Sequence, residues 1–88
     1  MRRKVTFSSH ALLRIKERFI SKATVIEAIR NPDRIERSSK TPSRVLIKKL
    51  YFNKNLQKEH LLMIICEVHP KQIEVITIID TSKISKYF

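Results

Sequence analysis

The spacing of apolar residues changes once along this chain, and that change limits the possible folds more than any other feature. Between Ser8 and Pro32 the apolar residues recur at helical spacing, whereas between Arg44 and Ile79 they form nearly continuous β-branched runs. Helices and strands present their side chains with different periods, so the two halves must form different structures. The sequence therefore predicts an α+β domain in which helices precede strands.

The element boundaries follow from capping and turn residues. Predicted helices run from Ser8 or Ser9 to about Phe19 and from Ser21 to Asn31, after a basic lead-in over residues 1–7. Predicted strands cover the region around 34–37 and residues 44–52, 60–68 and 73–79. Short turns between the strands favour antiparallel pairing. We therefore expect two N-terminal helices followed by a four-stranded antiparallel sheet, in a single domain over residues 1–88.

Two of the predicted strands leave a face to be covered. Residues 61–66 and 75–79 are apolar on both faces of their strands. Two helices can cover only one face of a four-stranded sheet. The other face must meet the C-terminal tail over residues 84–88, another copy of the chain in a homo-oligomer, or a different protein.

The charge balance points to a polyanionic or acidic partner. Nineteen Lys and Arg residues face eight Asp and Glu residues, which gives a formal net charge of +11. Such an excess favours RNA, DNA, anionic lipid or an acidic protein, and charge alone does not choose among them. Because glycine is absent, glycine-rich phosphate loops are excluded, and any phosphate must be bound by side chains.

Cysteine use and hydropathy predict a cytoplasmic protein without membrane contact. Cys66 is the only cysteine, so no internal disulfide can form and a reducing compartment is expected. No apolar signal-peptide segment follows the basic N-terminus. The apolar runs are also far shorter than the ~20 residues that a membrane span needs.

The first predicted helix carries an apolar stripe and a basic stripe. The apolar stripe consists of Leu12, Ile15 and Phe19. The basic stripe consists of His10, Arg14 and Arg18, whose spacing of four residues brings neighbours within ~6 Å of each other. An imidazole can move a proton and guanidiniums can hold a phosphate, so this stripe suits phosphodiester cleavage. A solvated basic surface would show the same spacing.

Further candidates for phosphate chemistry lie on the predicted strands. Thr77 places a hydroxyl among aliphatic residues, where it requires a hydrogen-bond partner. That partner is either a group in a site under the first helix or the backbone of the strand. Arg44, Lys48 and Lys49 can extend a phosphate-binding surface or remain solvated.

The sequence predicts no metal site and no cofactor. Cys66 and His69 have the C-x-x-H spelling of metal ligands, but residues three apart on a strand face opposite sides. Cys66 is therefore expected to be a small core residue. His60 and His69 lie at the ends of predicted strands, where we expect them to face solvent.

Two motifs and one strand resemble a known family. The motifs are Phe7-Ser8-x-His10-Ala11-x3-Ile15-x2-Arg18-x-Ile20-Ser21 and Val25-x2-Ala28-Ile29-x-Asn31-Pro32, and the strand is Val75-Ile76-Thr77. Together they resemble domain of unknown function 4258 over about residues 7–79, which leaves residues 80–88 as a C-terminal tail. The sequence departs from the family pattern at Phe19, where glycine is usual and adopts a positive φ with less strain.

The resemblance implies an RNase toxin. The family is generally placed with barnase-like, colicin-like and RelE-like RNases, many of which are toxins of toxin–antitoxin systems. Their fold is helices followed by a four-stranded antiparallel sheet. The resemblance also implies that His10, Arg14 and Thr77 occupy family motif positions, with Arg18 beside them.

Our first hypothesis is a metal-independent endoribonuclease of toxin type, in which the 2′-OH of RNA attacks the adjacent phosphate. His10 would act as general acid or base, while Arg14 and Arg18 hold the scissile phosphate. Thr77 would orient the phosphate or another group by hydrogen bonding. The second acid–base group is left open among Glu17, Lys49 and His69.

Two other hypotheses fit the same charge. The chain can be a non-catalytic RNA- or ribosome-binding module, or an interaction protein whose basic face meets an acidic antitoxin or subunit. The expected partners are therefore RNA, including ribosome-bound mRNA or tRNA, and an acidic antitoxin protein. Salt-sensitive RNA affinity would favour the binding module, and a tightly bound acidic protein would favour the interaction protein.

Overall fold

Five strands form a single mixed sheet in the computed structural model, which describes residues 3–88. The elements in chain order are β1 (Lys4–Phe7), α1 (Ser9–Glu17), α2 (Lys22–Arg30), β2 (Arg34–Arg37), β3 (Arg44–Asn53), β4 (Lys58–Val68), β5 (Gln72–Thr81) and α3 (Ile84–Tyr87). The strand order across the sheet is β1-β5-β4-β3-β2, with β1 parallel to β5 and all other pairs antiparallel. Among the described residues, no helix has the length and apolar composition of a membrane span.

The prediction of a four-stranded antiparallel sheet after two N-terminal helices is wrong at the N-terminus. Residues 4–7, expected as a lead-in, form β1, in which Val5 pairs with Ile73 and Phe7 with Val75 of β5. The sheet is therefore five-stranded and mixed. Four residues are too few to show a period, and their partner is the last strand along the chain. Local spacing could not reveal that pairing.

Ser8 caps α1 and ties it to β5. Its Oγ accepts a hydrogen bond from the Ala11 amide at 3.0 Å and donates one to the Ile76 carbonyl at 2.7 Å. Its own amide donates to the Val75 carbonyl at 2.9 Å. The register of β5 on β4 shifts between Val75 and Thr77, which leaves Ile76 as the extra residue of a bulge. The bulge thus supplies the carbonyl that anchors the start of the helix.

The end of α1 is a Schellman motif with phenylalanine in the position that usually holds glycine. The Ile20 amide donates to the Ile15 carbonyl at 3.0 Å, and the Phe19 amide donates to the Lys16 carbonyl at 3.3 Å. Phe19 has a φ of 55° and is 82 % exposed. Ile15 and Ile20 are both buried, at the two positions where apolar residues frequently accompany this motif. The predicted stripe with Leu12 therefore faces the core only at Ile15.

The helices cover one face of the sheet. The core between them consists of Ala11, Ile15, Ile20, Val25, Ala28, Ile29, Val45, Ile47, Leu62, Ile64, Cys66, Val75 and Ile78. Strands β3 and β4 contribute alternate residues to this set, because successive side chains of a strand point to opposite faces. Strand β5 contributes Val75 and Ile78, on either side of its bulge. The intervening residues of β4, such as Leu61 and Met63, are buried on the other face.

The C-terminal tail crosses that other face. Helix α3 packs against β4. The Nζ of Lys48 on β3 donates to the Tyr87 carbonyl at 2.6 Å and to Glu36 Oε2 at 2.8 Å. Arg34 Nη1 on β2 donates to the Phe88 carbonyl at 2.7 Å. The sequence allowed the C-terminal tail, another copy of the chain or a different protein to cover this face. The structure shows that the tail covers at least part of it.

We expect Phe19→Gly to raise the free energy of unfolding by about 0.5–1 kcal/mol, because glycine removes the left-handed strain at a side chain with little packing. Lys16→Gly is the matched control, since Lys16 is exposed in the last turn of the same helix, and should cost about 1 kcal/mol. Urea unfolding measures both changes. A loss of stability in Phe19→Gly would show that the ring contributes packing.

Candidate functional site

The residues that the sequence singled out on the first helix share one flank of α1. Ala11 and Ile15 face the core, and a helix turns about 100° per residue. The side chains beside them form a continuous row, here called the α1 flank, made of His10, Arg14, Glu17 and Arg18. His10, Glu17 and Arg18 are exposed, whereas Arg14 is half-buried.

The cations of the α1 flank have no carboxylate partners among residues 3–88. Arg14 also has a buried Nε atom without a hydrogen-bond partner in that part of the chain. This Nε atom has lost hydration without gaining an acceptor, and such unsatisfied groups are uncommon in folded proteins. An anion at the flank would supply the acceptor.

The flank leads into a cavity of about 470 Å³ between the end of α1 and the β3–β4 hairpin. We call it the end cleft, and its lining residues are Glu17, Arg18, Phe19, Asn53, Asn55, Leu56 and Asp80. A second cavity of about 340 Å³ shares Phe19, Asn53 and Asn55 with it. The α1 flank and the end cleft therefore meet at Arg18.

A buried polar group, the Asp80 cluster, holds β3, β4 and β5 together beside the end cleft. Tyr51 Oη donates to Asp80 Oδ1 at 2.6 Å, and His60 Nδ1 lies 3.0 Å from Asp80 Oδ2. Asn53 Nδ2 donates to Tyr51 Oη at 3.3 Å. Burial, together with the hydrogen bond and charge of Asp80, raises the pKa of Tyr51 above its ordinary value. His60 is only 4 % exposed, and its Nε2 has no partner among the described residues.

The Asp80 cluster was not among the sites predicted from the sequence. His60 was expected to face solvent, and Asp80 was not singled out. The alternation of side chains along the strands could have predicted that both residues face the core. His60 stands two residues before buried Leu62, and Asp80 stands two residues after buried Ile78. Each therefore lies on the helix-side face, where a polar side chain must find a partner.

The predicted phosphate-binding residues of β3 are already paired with carboxylates. The pairs are Arg44 with Glu67 at 2.9 Å, Lys48 with Glu36 at 2.8 Å and Lys49 with Asp33 at 3.7 Å. A hydrogen bond from Ser43, and to a smaller extent one from Arg44, lowers the pKa of Glu67. The Glu67 carboxylate therefore stays charged. Lys48 and Lys49 also lie on opposite faces of the sheet, because they are adjacent on one strand.

Thr77 lies on the sheet face away from α1. It pairs directly with Ile65, and paired residues of neighbouring strands point to the same face. Ile65 points away from the helices, because its neighbour Ile64 is part of the helix-side core. The structure therefore does not bring Thr77 together with His10 and Arg14.

The two residues with the spelling of a metal site are separated. Burial raises the pKa of the Cys66 thiol to about 12, in a side chain that belongs to the helix-side core. His69 is half-buried at the β4–β5 turn, with its Nε2 3.7 Å from Glu74 Oε1. Within residues 3–88 no three His, Cys, Asp or Glu side chains come together as a set of metal ligands.

We expect Asp80→Ala to lower the free energy of unfolding by about 3 kcal/mol or more, because it leaves His60 and Tyr51 without their shared acceptor. Glu74→Ala is the matched control, since it removes the carboxylate of a more solvent-accessible pair, the one with His69. That change should cost less than about 0.5 kcal/mol. Urea unfolding compares the two variants, and equal losses would contradict a structural role for the Asp80 cluster.

Comparison with known proteins places the chain in a family. A family model described as domain of unknown function (DUF4258) matches residues 7–80. No curated protein and no solved structure matches the chain. The matched region contains the whole α1 flank and every residue that lines the end cleft. Because the match covers most of the 88 residues, the chain belongs to the DUF4258 family.

Proposed function

We propose that this protein is a metal-independent endoribonuclease of toxin type that acts through the α1 flank. The observation that carries the proposal is the distribution of ion pairs. The three predicted cations of β3 each face a carboxylate, whereas His10, Arg14 and Arg18 face none among residues 3–88. An unpaired cation can neutralise a phosphate without first giving up a partner, so the flank is the better RNA site.

The spacing along α1 suits a phosphodiester at its centre. A helix rises about 1.5 Å per residue, so the Cα atoms of His10 and Glu17 are about 10 Å apart along the axis, with Arg14 between them. A phosphate held by Arg14 has both other side chains within reach, one on each side. In-line displacement needs acid and base on opposite sides of phosphorus, because the attacking and leaving oxygens are opposed.

Glu17 is the best placed of the three candidates for the second acid–base group. It lies on the α1 flank and lines the end cleft. Lys49 is paired on β3 instead. His69 is in the β4–β5 turn, where β1 begins its pairing with β5, so it lies away from the end of α1.

The proposed reaction is a transesterification within the RNA. The Glu17 carboxylate accepts the proton of the 2′-OH, and the 2′-oxygen forms a new bond to phosphorus. The bond from phosphorus to the 5′-oxygen breaks, and protonated His10 donates a proton to that oxygen. Arg14 and Arg18 donate to the non-bridging oxygens, where negative charge builds up. The products are a 2′,3′-cyclic phosphate and a 5′-OH.

One observation favours non-catalytic RNA binding as the second candidate. His10 is exposed, and no side chain among residues 3–88 hydrogen-bonds to its ring, so no protein group fixes its tautomer. A binding module needs only Arg14 and Arg18. Both functions place RNA, free or on the ribosome, against the α1 flank, and an acidic antitoxin would compete for the same cations.

Cleavage is tested with total RNA and purified tRNA in excess EDTA, followed by mapping of the ends. We expect the wild-type protein to leave 2′,3′-cyclic phosphates, and His10→Ala and Glu17→Gln each to slow cleavage by about 10²- to 10⁴-fold. His69→Ala is the matched histidine control and should cleave at the wild-type rate. Undiminished cleavage by His10→Ala would exclude His10 as an acid–base group. If the protein binds RNA but does not cleave it, even when ribosomes are added, the non-catalytic binding module is the remaining function.

The phosphate contacts are tested by the salt dependence of RNA affinity. Arg14→Gln and Arg18→Gln should each weaken binding and lower the slope of log K against log salt concentration by about 1. Arg44→Gln removes the same charge from a side chain that is already paired, and its slope should match the wild type. Equal slopes for all three variants would contradict the assignment of RNA to the α1 flank.

A further inference from the structure

The end cleft has an apolar wall on each side. Phe19 at the end of α1 is 82 % exposed, and Leu56 in the hairpin turn is 57 % exposed. Both line the same cavity of about 470 Å³. An exposed ring facing an exposed aliphatic side chain across a cavity is the arrangement into which a flat apolar group can insert.

Phe19 combines a strained backbone conformation with an exposed side chain, and this combination points to a role in binding. A φ of 55° penalises any residue with a Cβ, and glycine would relieve that penalty. A side chain that is 82 % exposed offsets little of the penalty by packing. Folding alone therefore gives no reason for phenylalanine at this position, whereas a ligand that contacts the ring does.

The opposite wall is held in a fixed shape. Asn53, only 8 % exposed, accepts a hydrogen bond from the Leu56 amide at 3.0 Å through its Oδ1. Its Nδ2 donates to Tyr51 in the Asp80 cluster. The adjacent Asn55 makes no side-chain hydrogen bond among the described residues, so its amide is available to a ligand in the cleft. The hairpin turn is thus a preformed surface with one free amide.

The charged residues around the end cleft limit which ligands it can bind. Arg18 lines the cleft where it meets the α1 flank, and Glu17 and Asp80 line it as well. An anion is favoured at the flank, but a second anion inside the cleft would meet these two carboxylates. The occupant is therefore an anionic group joined to a flat, largely apolar and uncharged one. An RNA nucleotide has that composition in a single unit, whereas a run of acidic residues alone does not.

We propose that the end cleft binds one unstacked RNA base, which stacks on Phe19 and pairs with the side-chain amide of Asn55. The base belongs to the nucleotide whose phosphate lies on Arg14 and Arg18, so this inference rests on the proposed function. Aromatic side chains receive splayed-out bases in this way in single-strand recognition. The subsite selects single-stranded RNA, because a paired base cannot leave its stack without cost.

The test compares two oligomers that differ in one base. One is an abasic deoxyribose phosphate oligomer of about five units, and the other carries a single adenine at the central unit. Neither has a 2′-OH, so neither can be cleaved by the proposed reaction. Fluorescence anisotropy at low salt gives the affinity of each oligomer for the wild type, Phe19→Ala and Leu13→Ala. Leu13 is the matched control, since it is 55 % exposed on the same helix and lines neither cavity.

We expect the adenine to strengthen wild-type binding by roughly five- to a hundredfold, the range that base stacking on an aromatic ring gives. In Phe19→Ala that gain should fall to less than about twofold, and in Leu13→Ala it should remain. The fully abasic oligomer should bind all three proteins equally, which also reports that the variants are folded. Asn55→Ala should remove a smaller part of the gain.

Four results would count against the subsite as proposed. An adenine that adds no affinity to the wild type, with salt-dependent binding of the abasic oligomer through Arg14 retained, removes the subsite and leaves the proposed function standing. A full adenine gain in Phe19→Ala removes Phe19 from the subsite. Binding of neither oligomer overturns both proposals. If Phe19→Ala dissociates a wild-type dimer in analytical ultracentrifugation and leaves the adenine gain intact, the apolar wall is instead a contact between copies of the chain.

Discussion

Strand β4 must be covered on both faces, and the rest of the fold meets that requirement. All four side chains from Leu61 to Ile64 are at most 6 % exposed, and successive side chains of a strand point to opposite faces. Helices α1 and α2 cover one face, and α3 with Phe88 crosses the other. Covering the helix-side face brings the end of α1 beside the β3–β4 hairpin. The end cleft is the space that remains between them.

Sequence could predict the parts of the fold that depend on local chemistry. Ser8 and Ser21 both cap helices with their hydroxyls, and the β-branched runs form the long strands. Strand β1 could not be predicted, because its pairing with β5 is a long-range contact between short segments. The end of α1 at Phe19 could be predicted only in part. Glycine, usual at that position in the family motif, would permit a positive φ, and the chain adopts that φ with phenylalanine despite the strain.

For the candidate site, sequence could identify the side chains on α1 but not their surroundings. A spacing of four residues places His10 and Arg14 on one flank of any helix. Which cations are neutralised depends on strand register, since Arg44 meets a carboxylate 23 residues later in the chain. Register and pleat also place Thr77 behind the sheet, although its motif position suggested a place near His10. The surroundings of the candidate site therefore could not be predicted, because they depend on strand pairing, which the sequence pattern does not reveal.

The hydrogen bond between Ser8 and the carbonyl of Ile76 joins residues 68 positions apart in the chain. A ribosome synthesises the chain from its N-terminus, so α1 emerges well before β5 has been translated. During that interval α1 lacks its anchor, β1 lacks its strand partner, and the end cleft lacks Asp80. The α1 flank therefore gains its support only after β5 has been synthesised. A nascent chain would carry the residues of the proposed nuclease without their assembled site while it is still close to the ribosome's own RNA.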